Sequence, residues 1–303
     1  MTDPDPDFRP LPGMVETLEP GLRRILAPNP SPMTFRGTNT YIIGEGDIAI
    51  IDPGPADPGH LEALLDAIRK EKVRCILVTH AHLDHSPLAP VLSEHCGAPV
   101  LAFGDAEAGR SATMQRLART AMIGGGEGVD SAFRPDIALA DGDPISGRDW
   151  TLHALHTPGH MANHLGFAWD DALFTGDLVM RWSTSLVSPP DGDMRAFMAS
   201  LRALSERKWD RFHPGHGAAV DKCSERLAEL ISHRTARETA ILSVIEDTPC
   251  TVETVTRRIY TELPEALFAA AERNVLAHLI DLCERDLVVS DTPFTPSARY
   301  ARP

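Results

Sequence analysis

The chain has 303 residues, 43% of them hydrophobic and 24% charged, which fits one large globular domain or two ordinary ones and excludes wholesale disorder. Its 43 acidic residues outweigh 29 basic ones, for a net charge of −14. That balance argues against a broad, sequence-independent grip on phosphate backbones.

Residues 1–20 are Pro-rich and read as an irregular arm. Short strands are expected at 22–27, 41–43 and 47–52. Leu61, Leu64, Leu65 and Ile68 have helical spacing within 58–70, and the continuous apolar run 73–79 predicts a buried strand. A helix over 87–95 and a strand at 99–103 follow. A helix over 106–122 runs into the Gly-rich stretch 124–128, which reads as a solvated loop within a segment, 104–135, that could border a site. Strands resume at 137–139, 150–156, 165–169 and 172–174, then a helix at 194–204 and a strand at 209–212. The first 220 residues therefore alternate strands and helices in α/β (α+β) layering.

The pattern changes beyond residue 220. Helices are expected at 224–245, 251–263 and 264–286, closing in a hairpin between 287–290 and the tail around Tyr300. Three helices and a β-wing suggest a winged helix, although a plain three-helix cap gives the same pattern. The expected division is an arm (1–20), a catalytic domain (21–222) and a winged-helix-like domain (223–303). The last is itself net acidic, which makes duplex DNA a poor partner.

Cys75, Cys96, Cys223, Cys250 and Cys283 are scattered and form no CxxC pair, which fits a reducing compartment better than a disulfide scaffold. The acidic, Pro-rich N-terminus lacks the basic start and apolar stretch of a signal peptide. No apolar run approaches a membrane span. The expectation is a cytoplasmic protein without membrane association.

The chemistry concentrates in Thr79-His80-Ala81-His82-Leu83-Asp84-His85, three imidazoles and a carboxylate directly after an apolar strand. Histidines two apart on extended backbone point the same way, so His80 and His82 can share one metal ion. Where the chain turns, Asp84 and His85 can aim at a neighbouring position. Imidazole with carboxylate suits zinc, with iron or manganese as alternatives. More candidates stand at later strand ends: His160 in His156-Thr157-Pro158-Gly159-His160, Asp177 after Gly176, and His216 in His213-Pro214-Gly215-His216-Gly217. Each alone could be an ordinary turn. Four such sites at strand ends converge if the strands align in sheets whose loops gather at one edge.

This motif set resembles the metallo-β-lactamase superfamily, specifically its hydrolase branch with a complete binuclear site, over about residues 15–220. The resemblance implies an αβ/βα sandwich and two divalent ions. His80, His82 and His160 would hold the first ion, and Asp84, His85 and His216 the second. Asp177 would bridge them. Asp52, in Ile51-Asp52-Pro53-Gly54, would brace the ligand loop. The implied reaction is metal-assisted hydrolysis: a shared water falls from a pKa of about 15.7 toward 7, and the hydroxide attacks a carbonyl carbon or phosphorus. Asp84 and Asp177 would act as catalytic carboxylates by orienting it. His164 either lines the site or is a packed, hydrogen-bonded support. His156 and His213 match non-ligand positions, and His60, His95, His153 and His278 read as structural.

Substrate is less legible. Asn39, in Thr38-Asn39-Thr40-Tyr41, resembles a cleft edge, and Trp182, Ser183 and Thr184 form a candidate second wall. The stretch 231–242, with His233, Arg234 and Arg237, resembles the helix leading into the winged-helix tail of the β-lactamase-like protein group. Arg273-Asn274-Val275-Leu276-Ala277-His278-Leu279 fits that tail's third helix. The group includes a mitochondrial endoribonuclease, so single-stranded RNA is the leading substrate expectation. Those basic residues would reach phosphates, or else clamp the domains together through Glu238 and its neighbours. Small thioesters, lactones or esters are the alternative, which the acidic surface favours. A homodimer and a non-enzymatic winged-helix regulator complete the expectations.

Overall fold

The computed structural model describes residues 3–120, 128–292 and 294–303. One sheet runs in chain order: β1 (Val15–Glu19), β2 (Leu22–Leu26), β3 (Asn39–Ile43), β4 (Asp47–Ile51), β5 (Lys72–Leu77), β6 (Val100–Ala102) and β7 (Ile137–Ala138). Its first four strands are antiparallel and its last four parallel. The parallel crossovers carry α1 (Pro58–Ile68), α2 (Leu88–Cys96) and α3 (Ala112–Thr120). The second sheet is built from β8 (Pro144–Ser146), β9 (Thr151–His156), β10 (Leu165–Trp169), β11 (Ala172–Gly176) and β12 (Arg211–Pro214), in the order β12-β11-β10-β9-β8. A helix, α4 (Met194–Ser205), leads from β11 to β12.

The period-2 pattern of the strands sets the layers. Ile42, Ile50 and Ile76 face α1 and α2, where Leu64, Ile68, Leu88 and Leu92 meet them. Their neighbours Tyr41, Ile51 and Leu77 point the other way, onto Leu152, Phe167 and Phe174 of the second sheet. The outer face of that sheet is covered by α4 and α5 (Cys223–Val244), through Phe197, Leu201, Leu227 and Leu230. The result is the αβ/βα sandwich. Strands β3 and β4, covered on both faces, are buried at every residue, the polar Asn39, Thr40 and Asp47 included.

Beyond α5 come α6 (Val252–Ile259), α7 (Phe268–Glu284) and a small antiparallel pair, β13 (Val289–Ser290) with β14 (Tyr300–Ala301). Ile241, Val255, Leu279, Ile280 and Tyr300 form its core, and Met114 and Leu117 of α3 pack into the same cluster. The winged helix therefore shares its core with a helix of the sandwich. Among the described residues no helix is long and apolar enough to cross a membrane.

Three local expectations are corrected. Within the supposed irregular arm, Val15–Glu19 forms an edge strand. It is largely exposed and owes its conformation to pairing with β2, so its own pattern carries little signal. The three-residue strand β8 was invisible for the same reason. The helix expected from residue 106 begins only at Ala112: Gly109 adopts φ +80°, and a Cβ there would lie 2.4 Å from the Ala162 carbonyl. A turn, not a helix, fits that approach. Residues 121–127, with most of the Gly-rich stretch, lie outside the described residues, as does any closure of 104–135 over the cleft.

Candidate metal centre

The loop after β5 carries His80, His82, Asp84 and His85, and Asp52 at the end of β4 shapes it. Asp52 is buried, with φ 51°, a left-handed conformation that Asp tolerates better than most residues. Its Oδ1 accepts from the Thr79 amide at 2.7 Å, and Oδ2 accepts from the Thr79 hydroxyl and His85 Nδ1, both at 2.8 Å. Since the Thr79 hydroxyl donates to Asp52, its oxygen is left to accept from His80 Nδ1 at 2.9 Å.

The other candidate ligands come from the second sheet. His160 follows β9, Asp177 follows β11 and His216 follows β12. His160 Nδ1 donates to the Leu186 carbonyl at 2.6 Å, and His216 Nδ1 to the Gly37 carbonyl at 3.2 Å. Each outward nitrogen thus has an acceptor, which fixes the tautomer and turns the Nε2 lone pairs of His80, His85, His160 and His216 inward. There nitrogen faces nitrogen: His80 Nε2 to His82 Nδ1 at 2.9 Å, His160 Nε2 to His82 Nδ1 at 3.1 Å, and His85 Nε2 to His216 Nε2 at 3.3 Å.

Among the described residues, three groups have their donor atoms within 4.8 Å of one another: His80, His82 and His160; His80, His85 and Asp177; and Asp84, His85 and His216. Asp177 lies between the halves, with Oδ2 3.6 Å from His160 Nε2 and 3.3 Å from His216 Nε2, and Oδ1 3.5 Å from His85 Nε2. Its buried Oδ1 makes no hydrogen bond among the described residues. Converging lone pairs beside an unpartnered carboxylate oxygen are a donor set suited to divalent cations. The seven residues fit two ions.

The electrostatics divide the centre. Burial, reinforced by neighbouring imidazoles, holds His80 far below its ordinary range and His82 down to about 3, leaving both neutral as ligands must be. Burial also opposes charge on His85 and His216, but Asp84, Asp52 and Asp177 outweigh it at His85, and Asp177 and Asp84 hold His216 up to about 10. The Asp84 and Asp177 carboxyls, despite burial, are pulled below the carboxylate range by those histidines. The half around Asp84 therefore attracts positive charge.

The remaining candidates fall around this cluster. His164 is a support: its Nε2 accepts from the Asp177 amide at 3.2 Å, and its Nδ1 meets the Thr157 hydroxyl at 2.9 Å. Asn39 holds the His216 loop, donating to the Pro214 and Gly217 carbonyls at 3.0 and 2.9 Å. Trp182 stacks on Phe35 at 5.0 Å, and Phe35 on Phe8 at 6.1 Å. That indole lies against Gly217, so an aromatic wall stands next to His216. The Ser183 carbonyl accepts from Arg226 at 2.6 Å, and Thr184, half-buried, accepts through its carbonyl from the Ser183 hydroxyl at 3.3 Å. His156 lies flat on Phe103 at 3.9 Å, and His213 between Tyr41 and Phe174.

Sequence reasoning missed Phe35, the bracing role of Thr79 and the carbonyls of Gly37 and Leu186. An apolar-polar string could have flagged Thr79 as the last residue before the ligands; a carbonyl has no side-chain signature. Of the clamp expected of His233, Arg234 and Arg237 through Glu238 and its neighbours, the pairing with Glu238 is corrected: Arg285 ion-pairs with Glu238, Arg237 lies over the Tyr260 ring at 4.2 Å, and Arg234 ties α5 to Ser185 and Asn274.

Comparison with known proteins agrees with this geometry. The model of the metallo-beta-lactamase superfamily matches residues 33–229, and that of the beta-lactamase associated winged helix domain matches 251–293. A beta-lactamase-like protein 2 homolog of Caenorhabditis elegans is 31% identical over 289 residues, covering 92% of this chain and 90% of the relative. An atrochrysone carboxyl ACP thioesterase of Aspergillus fumigatus is 30% identical over 241 residues, covering 77% and 67%. The crystal structure of a metallo-beta-lactamase family protein from Thermus thermophilus aligns with a TM-score of 0.76 at 25% identity, covering 95% of this chain and all of that one. The chain belongs to the metallo-β-lactamase superfamily of metal-dependent hydrolases and carries that superfamily's associated winged-helix domain.

Proposed function

We propose that this hydrolase cleaves a small acyl thioester or a related carboxylic ester at a two-ion centre, with zinc the first choice of metal. The observation that carries this reading is the fate of the arginines held out for phosphates. Arg234 is 2% exposed, and its guanidinium bonds to the Ser185 carbonyl and to Asn274. Arg237 is spent on Tyr260. Arg234 does not face outward to track a phosphodiester backbone, Arg237 is half-buried, and the chain as a whole is acidic. The thioesterase relatives support the same substrate class.

His80, His82 and His160 would hold one ion, Asp84, His85 and His216 the other, with Asp177 between. Bound there, the ions supply Lewis acidity that brings water toward a pKa of about 7 and polarises a carbonyl. The chain's own groups do the rest. Asp177 and Asp84 orient the attacking oxygen as hydrogen-bond acceptors. Asp84, whose side chain is 26% exposed against 10% for Asp177, is the carboxylate open enough to pass a proton from its Oδ2 toward a leaving group. The Phe8–Phe35–Trp182 wall offers an aromatic face to the acyl part.

The near full-length match to beta-lactamase-like protein 2 homologs, with the resemblance in 231–242, keeps single-stranded RNA as the second reading. Metal-loaded enzyme and its Asp177→Ala variant are offered an acyl-coenzyme A thioester, with thiol release followed by colour, and separately a single-stranded RNA oligonucleotide. Thiol release that falls at least about a hundredfold in the variant is the expected result. Intact thioester beside cleaved RNA overturns this proposal in favour of the phosphodiesterase.

A further inference from the structure

Between Asp177 and α4, the segment 185–189 runs past the metal centre and is held from the far side by the C-terminal helices. Asn274 of α7 accepts through Oδ1 from the Val187 amide at 3.1 Å and from Arg234 Nη1 at 3.2 Å. Arg234 of α5 donates its other nitrogen, Nη2, to the Ser185 carbonyl. Next along α7, Arg273 donates to the Ser188 hydroxyl at 2.9 Å and the Pro189 carbonyl at 2.7 Å. On its near side the same segment touches two candidate ligands. The Leu186 carbonyl accepts a hydrogen bond from His160 Nδ1 at 2.6 Å, and the Ser185 hydroxyl donates to the backbone carbonyl of Asp177.

Arg234 is an expensive way to fasten two helices to a sheet. Its bonds go to a carbonyl and an amide oxygen rather than a carboxylate, and its guanidinium lies over the Phe197 ring at 5.1 Å. Burial presses its pKa down to about 10. A buried charge held this way is weak evidence of a purely stabilising role. What its contacts fix is the backbone on either side of Leu186, whose carbonyl orients a histidine.

We infer that Arg234 and Asn274 are positioning residues for the metal centre: through residues 185–187 the winged-helix domain sets the orientation of His160 and the placement of Asp177, without contributing a ligand. This rests on the two-ion reading of the centre proposed above.

The test is metal binding by the full-length protein, read by chelator competition with zinc and by the visible spectrum of the cobalt-substituted form. Asn274→Leu keeps the branched shape but removes the acceptor for Val187 and Arg234; Asn274→Asp keeps an acceptor oxygen. Ser185→Ala removes the hydroxyl's links to the Asp177 and Leu178 carbonyls and covers the case that the leucine variant does not fold. Arg195→Ala serves as control, because it cuts another bond to α7, Arg195 Nε to Asp281 at 3.1 Å, away from this segment. Partners of ligating histidines are worth about 10- to 100-fold in metal affinity, so a loss of about tenfold is expected for Asn274→Leu and several-fold for Ser185→Ala. An altered cobalt spectrum should accompany it, with recovery in Asn274→Asp and no change in Arg195→Ala. Two ions bound with wild-type affinity and spectrum in both Asn274→Leu and Ser185→Ala would overturn the inference, as would an equal loss in Arg195→Ala. A wild-type protein that binds no metal would overturn the two-ion reading itself, and this inference with it.

Discussion

At the scale of single residues, Asp52 shows how one carboxylate fixes a proton several ångströms away. Both its oxygens are occupied, by the Thr79 amide on one side and by the Thr79 hydroxyl and His85 Nδ1 on the other. Asn at this position would still tolerate φ 51°, but it offers an acceptor on one side only. If the amide carbonyl serves Thr79, the NH2 group faces His85 and forces its proton onto Nε2, the atom that points at Asp84, Asp177 and His216. If it flips, two N–H groups collide at Thr79. Asp52→Asn is therefore expected to bind the ion at the Asp84–His85–His216 group about 10- to 100-fold more weakly, with the far-ultraviolet circular dichroism unchanged. Equilibrium dialysis against zinc would check it.

The types and spacing of the seven side chains were legible because side chains are what a sequence spells out. Their outer partners were less so. Asp52 is a side chain and could be read; Gly37 and Leu186 act through carbonyls, which every residue has, and only the fold selects them. Trp182 was read as a wall, but its stacking on Phe35 depends on a loop 147 positions earlier in a chain whose registers the sequence does not state.

At the scale of elements, the turn after β12 must pass between two ligands. A Cβ on Gly215 would lie 2.6 Å from Asp177 Oδ1 and 2.7 Å from His85 Cε1. His85 cannot retreat, since Asp52 pins it, and Asp177 Oδ1 can turn away only by leaving its place beside His85 Nε2. Gly215→Ala should cost about 1 to 3 kcal/mol of stability by overpacking and lower metal occupancy as well. Thermal unfolding and metal analysis of the same sample would show both; a stable variant with two ions would contradict the geometry. Long, buried elements such as β4, β5 and α5 were readable from periodicity, because packing and pattern agree there. Edge strands β1 and β8 were not, because their conformation is imposed by a neighbour and not by their own apolar residues. The late start of α3 depends on a close approach between Gly109 and Ala162 that no local pattern encodes.

At the scale of the whole molecule, three histidines away from the metal ligands are buried without charge. Burial lowers His60 and His213 to about 4 and His278 to about 3, the last two helped by nearby arginines. These folded values lie below the ordinary 6.5, so the unfolded chain takes up protons that the folded one refuses. The contribution of these three is full above pH 6.5 and falls between there and about pH 4, by up to about 1.4 kcal/mol per pH unit for each histidine. Urea unfolding at pH 7, 6 and 5 should show the slope. His278→Leu, which replaces an imidazole whose nitrogens have no partner among the described residues, should flatten it; an unchanged slope would mean that His278 titrates normally.

The candidate ligands hang from both sheets: His80, His82, Asp84 and His85 from one, and His160, Asp177 and His216 from the other. Each half of the sandwich possesses only part of a centre. The inner faces of the two sheets bury each other, so in refolding activity is expected to return no earlier than the docking of one sheet on the other. The same arrangement makes turnover a sensitive gauge of that docking, since a separation of the sheets too small to melt a strand already parts His160 from His82.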